Sequence, residues 1–260
     1  MYPKIFGIIN TYGLCIAIGV LLCLFIFDKF SKYKNLDKKF IDFVEFLAIF
    51  AISFGILFAS LFQGFYNWID KGVFDLSGMT FIGGLIGGVV SFLAVYFWKG
   101  RKYESSIMDM MNIVPCCITI AHGFGRIGCF FGGCCYGIET DGPFGVIFPG
   151  KVSAVYPTQL FEAIFLLLLC AVLCFLFLKF NYKHTMEIYL ISYGIWRFFI
   201  EYIRGDDRGS FIPGLTPSQF WSIMMVLLGI AIWIIFTWFY KKYPEKGNIK
   251  KVIIEEEINE

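Results

Sequence analysis

Thr158–Phe180 reads TQLFEAIFLLLLCAVLCFLFLKF, 23 residues with one carboxylate and one lysine among them. A helix crossing the hydrocarbon core of a bilayer needs about 20 apolar residues, roughly 30 Å at 1.5 Å per residue. This stretch meets that requirement by itself. Working outward, six more segments qualify or nearly so, at about 5–27, 43–65, 81–98, 107–131, 187–203 and 218–240. The 260-residue chain is 58% hydrophobic and 16% charged. Soluble domains are near 45–50% apolar and about 25% charged, so the bilayer is the expected solvent. The expectation is an all-α integral membrane protein with seven transmembrane helices. Residues 1–240 form the membrane domain, with a small outer loop region at 132–157. Residues 241–260 form a charged cytoplasmic tail. The first segment reads as a span and not a cleaved leader, because its apolar run is too long and no small-x-small site follows it.

Loop charge orients the spans. Loops 28–42, 99–106 and 181–186, with Lys179 and the tail from Lys241, hold 15 of the 22 Lys and Arg; the N-terminus and the alternate loops hold 5. Basic loops stay cytoplasmic, which puts the N-terminus outside and the C-terminus inside, as an odd number of spans requires. Asp141-Gly142-Pro143 and Pro149-Gly150 are turn signals in the outer loops. With a net charge of +2 and no basic face, nucleic acid is not an expected partner.

The remaining two Arg lie at membrane depth, where an arginine costs about 2.5–3.5 kcal/mol even on the gentlest scale. Arg126 sits in Ala121-His122-Gly123-Phe124-Gly125-Arg126-Ile127-Gly128. Arg197 follows Tyr193 by one turn and precedes Glu201 by another, and helical spacing sets residues 193, 197, 201 and 204 on one face. Glu201 is placed to neutralise Arg197 or Arg204, which would make a structural ion pair. A guanidinium fork also matches phosphate oxygens, and two of them at this depth suit a phospholipid headgroup. The G-x-G-x-x-G of residues 123–128 lies in a hydrophobic helix, outside the strand context that a dinucleotide fingerprint needs. Gly83-Gly84-Leu85-Ile86-Gly87-Gly88 suits either close helix packing or bare backbone meeting lipid.

Of nine cysteines, Cys15, Cys23, Cys170 and Cys174 lie in apolar runs and read as small hydrophobes. Cys129, Cys134 and Cys135 follow Arg126 closely. Three readings stay open for them: a metal site, although C-x4-C-C is not a common zinc spacing; a redox or nucleophilic set with His122 as base; or plain packing.

At these residues the chain resembles the prolipoprotein diacylglyceryl transferase family, bacterial membrane enzymes that lipidate lipoprotein precursors. Gly83-Gly84-Leu85-Ile86-Gly87 is similar to the family's third-span glycine motif, and Gly125-Arg126-Ile127-Gly128 to its Gly-Arg-x-Gly signature. Pro143–Gly150 resembles its outer-loop segment. Tyr156-Pro157-Thr158-Gln159-Leu160-Phe161-Glu162 is similar to its Pro-Ser-Gln-Leu-Tyr-Glu stretch, and Tyr193-Gly194-Ile195-Trp196-Arg197 to its Tyr-Gly-x-x-Arg helix.

The resemblance implies transfer of a diacylglyceryl group from phosphatidylglycerol to the lipobox cysteine thiol of a signal peptide, with release of glycerol phosphate. It implies that Arg126 holds the lipid phosphate, Arg197 stabilises the departing phosphate and Tyr193 positions the thiol or the headgroup. Gly83, Gly84, Glu201 and Arg204 join the phospholipid site. The implied partners are phosphatidylglycerol, the lipoprotein precursor and the bilayer. The implied location is the bacterial plasma (inner) membrane, in a multi-pass arrangement. No cofactor and no metal are expected.

The chain departs from the pattern at three residues and in the short outer loop between the fourth and fifth spans. Ile82 stands where the family has His before Gly-Gly-Leu-Ile-Gly, and Cys129 and Cys134 replace its Asn and Glu. His122 is then the intramembrane candidate for a base. The alternatives are a paralogue serving another acceptor, and a non-catalytic phospholipid-binding or transport protein.

Overall fold

Helix ends in this chain are set by short polar punctuation between long apolar runs. A computed structural model describes residues 4–5, 9–78, 80–103, 105, 107–205 and 214–242. Most of the described residues are helical. The exception at the start is a two-residue antiparallel pair, β1 (Lys4–Ile5) with β2 (Ile9–Asn10), in which Lys4 faces Asn10. That pair occupies residues expected to be helical from position 5. Helix α1 (Thr11–Tyr33) begins only after Asn10, whose Oδ1 accepts the Tyr12 N–H at 3.0 Å. It runs past position 27 because Asp28 and Lys32, one turn apart, pair at 2.7 Å.

The chain forms two compact units, Met1–Cys23 with Met111–Glu260, and Leu24–Met110. In the second unit, α2 (Lys38–Lys71) starts at Asp37, which caps the Lys39 N–H at 3.1 Å, and stops at Gly72 with φ 69°. It extends beyond the expected 43–65. It packs along α3 (Phe81–Lys99) through small residues. A Cβ on Gly55 would sit 3.0 Å from the Gly84 carbonyl, and one on Gly83 would sit 2.5 Å from Phe62 Cβ. This is the close approach that small residues permit between helices in lipid. A short helix, α4 (Ile107–Met110), ends the unit.

The expected span 107–131 is interrupted. Residues 111–113 form a turn, and the long helix α5 (Val114–Gly132) starts afresh with Pro115 in its first turn. Proline has no N–H to donate and fits there, whereas mid-helix it would break a bond. Helix α6 (Thr158–Phe180) has the expected boundaries, and Asn181 ends it in the left-handed conformation. Helix α7 (Thr185–Ile200) tightens into a 3-10 turn at Glu201–Ile203. Helix α8 (Pro217–Lys242) closes the described chain; beyond Lys242 the tail lies outside the described residues.

Helix α5 packs on α6, and α7 packs on both α6 and α8. Phe165 and Trp196 stack at 4.5 Å between α6 and α7. Gly194 brings α7 against the Ser222 carbonyl of α8, 2.9 Å from where its Cβ would be. Outward, the helices show apolar side chains, among them Leu168 at 63% and Trp238 at 59% exposure. Such surfaces suit contact with lipid tails. Five helices, at 11–33, 38–69, 114–132, 158–180 and 217–238, are long and apolar enough to cross a membrane; residues 83–99 form a shorter apolar helix.

Candidate functional site

The polar centre of the first unit is built on the opening turns of α6. Glu162 is fully buried there. Its Oε1 accepts a hydrogen bond from the Tyr193 hydroxyl of α7 at 2.8 Å and lies 3.7 Å from His122 Nε2 of α5. Its Oε2 forms an ion pair with Arg126 Nε at 3.0 Å. One carboxylate therefore ties three helices together. His122 and Tyr193 also meet edge to face at 5.1 Å, and Tyr189 stacks on Tyr193 at 5.9 Å. A buried carboxylate is tolerable in an apolar bundle only when paired and hydrogen-bonded in this way.

A second cluster forms where α7 ends and α8 begins. Arg197 Nη1 pairs with Glu201 Oε2 at 2.7 Å, and its Nη2 donates to Ser218 Oγ at 2.8 Å. Arg204 Nε approaches the same Glu201 oxygen at 3.9 Å. Thr216 and Gln219 form a reciprocal cap at the start of α8, through Thr216 N to Gln219 Oε1 at 3.1 Å and Gln219 N to Thr216 Oγ1 at 3.2 Å. The Thr216 hydroxyl donates in turn to Glu201 Oε1 at 3.1 Å. The helix cap and the ion cluster are thus one structure. Arg197 also bears electrostatically on Glu162, which links the two clusters. Among the described residues, three guanidinium groups here face two carboxylates. Arg126 and Arg197 are thereby held as fixed guanidinium groups in an apolar bundle, and such groups match phosphate oxygens.

The third element is the loop that leaves α5. Gly133, with φ 68°, caps the helix and turns the chain. The Cys134 N–H returns to the Cys129 carbonyl at 3.2 Å. The carbonyl of Cys134 accepts from Gln159 Nε2 at 2.5 Å and that of Cys135 from Thr158 Oγ1 at 2.9 Å, so the first turn of α6 holds both. Further on, Gly137 pairs with Arg204 in an antiparallel bridge, joining the loop to the end of α7. The sulfurs of Cys129, Cys134 and Cys135 lie within 4.8 Å of one another. The Cys135 thiol is held down to about 5, first by its hydrogen bond with Cys129 and, against the opposing effect of burial, by the Arg204 guanidinium. Although the Cys134 residue is exposed, partial burial of its sulfur pushes that thiol up.

The residues expected to act, Arg126, His122, Tyr193, Arg197, Glu201 and Arg204, all fall in this region. The pairing of Glu201 with Arg197 follows the helical spacing. Glu162, which connects them, was absent from the expected set. The available signal was its ionisable side chain inside an otherwise apolar helix, the criterion that marked the arginines. Gly83 and Gly84 belong to the other unit, where their packing against α2 accounts for their lack of side chains.

The family described as prolipoprotein diacylglyceryl transferase matches residues 4–235. Among curated relatives, the phosphatidylglycerol–prolipoprotein diacylglyceryl transferase of Clostridium tetani is 35% identical over 88% of this chain and 94% of its own length. The second such enzyme of Clostridium perfringens is 33% identical over 88% and 92%. The Rickettsia canadensis enzyme is 34% identical over 88% and 95%.

Proposed function

The chain belongs to the prolipoprotein diacylglyceryl transferase family, and from that premise we propose how its buried charges carry out the transfer. The protein is a multi-pass bacterial membrane enzyme that moves a diacylglyceryl group from phosphatidylglycerol to a prolipoprotein. In the proposal the acceptor is the lipobox cysteine thiol of the signal peptide and glycerol phosphate leaves. The membrane domain crosses the bilayer seven times with the N-terminus outside, so the arginine clusters lie toward the outer leaflet.

The observation that carries the assignment of residues is that Arg126 and Arg197, both inside the helical bundle, are each fixed by a buried carboxylate, Glu162 and Glu201. Arg126 holds the lipid phosphate. Arg197, with Arg204 behind it, stabilises the charge that grows on the departing phosphate; donors already fixed in a water-poor site are worth more than donors that must reorganise. Glu162 and Glu201 set the directions of these arginines. Tyr193, fixed by Glu162, positions the headgroup or thiol, and His122 borders the same space.

The test uses purified protein in phosphatidylglycerol liposomes with a synthetic lipobox peptide. Mass spectrometry should find one diacylglyceryl increment on the peptide cysteine, lost in Arg126→Ala. A folded Arg126→Ala variant with full activity overturns the phosphate assignment. Binding of phosphatidylglycerol without release of glycerol phosphate favours a lipid binder.

A further inference from the structure

The three cysteines after Arg126 have no part in the reaction as drawn above, and their geometry is unusual. Adjacent residues in extended chain point their side chains to opposite sides. Here Cys135 takes φ 63°, a left-handed conformation that a non-glycine residue seldom adopts. Together with the turn at Gly133, this folds the vicinal pair back over Cys129 at the end of α5. Cys129 and Cys135 are within hydrogen-bonding range of each other, as are Cys134 and both partners. Because Thr158 and Gln159 hold the two carbonyls, the backbone carrying the thiols is fixed from α6. Cys134 is exposed, so the cluster is reachable from water.

We propose that Cys129, Cys134 and Cys135 form a three-thiolate site for Zn2+ whose fourth position takes the acceptor thiol. Zinc bonds thiolate sulfur at about 2.3 Å, which puts tetrahedral sulfurs about 3.8 Å apart; sulfurs already within 4.8 Å need to close by only about 1 Å. Binding displaces the thiol protons to water. Three thiolates on a divalent ion leave one negative charge, and Arg126 and Arg204 both act on the cluster. Guanidinium groups around metal-bound sulfur are the kind of outer support that tunes such sites. Three protein ligands with one open position is the pattern of a catalytic zinc, whereas structural zinc is closed by four.

The second half of the inference rests on the transferase reading. The acceptor thiol has an ordinary pKa near 8.5 and is mostly protonated at neutral pH. On entering the fourth position it releases its proton to water and becomes a zinc thiolate. Its sulfur then bonds to the glyceryl carbon of phosphatidylglycerol. The carbon–oxygen bond breaks, and glycerol phosphate leaves with the electron pair. The product is a neutral thioether, a weaker ligand, which frees the position.

The full-length protein, purified under reducing conditions, should carry one zinc per chain by elemental analysis. It should lose that zinc in Cys134→Ser/Cys135→Ser and keep it in Cys23→Ser. Cobalt-substituted wild-type protein should show thiolate-to-metal charge-transfer absorption. A lipobox peptide should raise this absorption by about a third, four thiolates replacing three, and its Cys→Ser version should not. Zinc at background level, copper alone, a disulfide within the cluster, or a cobalt spectrum indifferent to the peptide each overturn the proposal. The wild-type spectrum decides even if the variants fail to fold. Full transfer by zinc-free protein also overturns it while leaving the transferase reading intact. Zinc and peptide bound with no lipid transferred overturns the transferase reading and the second half with it, leaving the metal site.

Discussion

Replacing Glu162 by Gln tests whether one carboxylate aligns both Arg126 and Tyr193. The substitution keeps size and shape and removes the charge. The Tyr193 hydroxyl, 2.8 Å from Oε1, can still donate to an amide oxygen. The bond then changes from a charge-assisted one, about 1.5–3 kcal/mol, to an ordinary one near 1 kcal/mol. Arg126 loses its ion pair at 3.0 Å. An alignment loss of roughly 1–2 kcal/mol corresponds to a fall of roughly 5- to 30-fold in kcat/KM at 1.36 kcal/mol per tenfold. Stability should fall too. Breaking a fully buried pair costs about 3–5 kcal/mol, and the figure here is smaller because the Arg126 side chain is 17% exposed. Diacylglyceryl transfer in phosphatidylglycerol liposomes gives the rate, and thermal unfolding in detergent gives the stability. Tyr193→Phe removes the other end of the same bond, so the double variant should be little worse than the poorer single. A folded Glu162→Gln protein within twofold of wild type, or losses that simply add, would refute the reasoning.

Arg197→Lys keeps the charge but cannot reach Glu201 and Ser218 together as the fork does; transfer should fall by on the order of tenfold or more, read in the same liposomes. Thr216→Ala removes the α8 cap and a bond to Glu201, and should cost about 0.5–2 kcal/mol, seen as a lowered Tm with a reduced kcat. Gly83→Leu drives a side chain into Phe62 and should cost about 1–3 kcal/mol through the α2–α3 contact; an unchanged Tm would show that this contact yields freely.

The apolar runs made the helices legible, and α6 most of all, because Pro157 and Asn181 punctuate it at both ends. Elsewhere hydropathy alone ran on through features it does not register. The strand pair before Thr11 and the turn at 111–113 are backbone events in apolar sequence, and only Pro115 signalled the second. The shared face of Tyr193, Arg197 and Glu201 followed from helical spacing. The partner of Arg126 did not, since Glu162 lies on another helix and no periodicity links the two. Nor does C-x4-C-C spacing disclose convergent sulfurs, which depend on the left-handed backbone at Cys135.

Helix α7 has only 16 residues and carries Glu187 and Arg197, both buried. In a seven-span arrangement such a segment is poorly suited to leave the translocon alone, since one arginine at depth costs about 2.5–3.5 kcal/mol. Its own turns supply part of the compensation, Glu201 for Arg197 and His184 for Glu187, and its neighbours supply the rest: Glu162 on α6, which Tyr193 meets, has already been synthesised, but Ser218 on α8 has not. Biogenesis is therefore coupled to assembly here. In that arrangement α7 is expected to settle fully only once α8 has emerged, so the residues proposed to serve transfer also bear on the order in which the helices assemble.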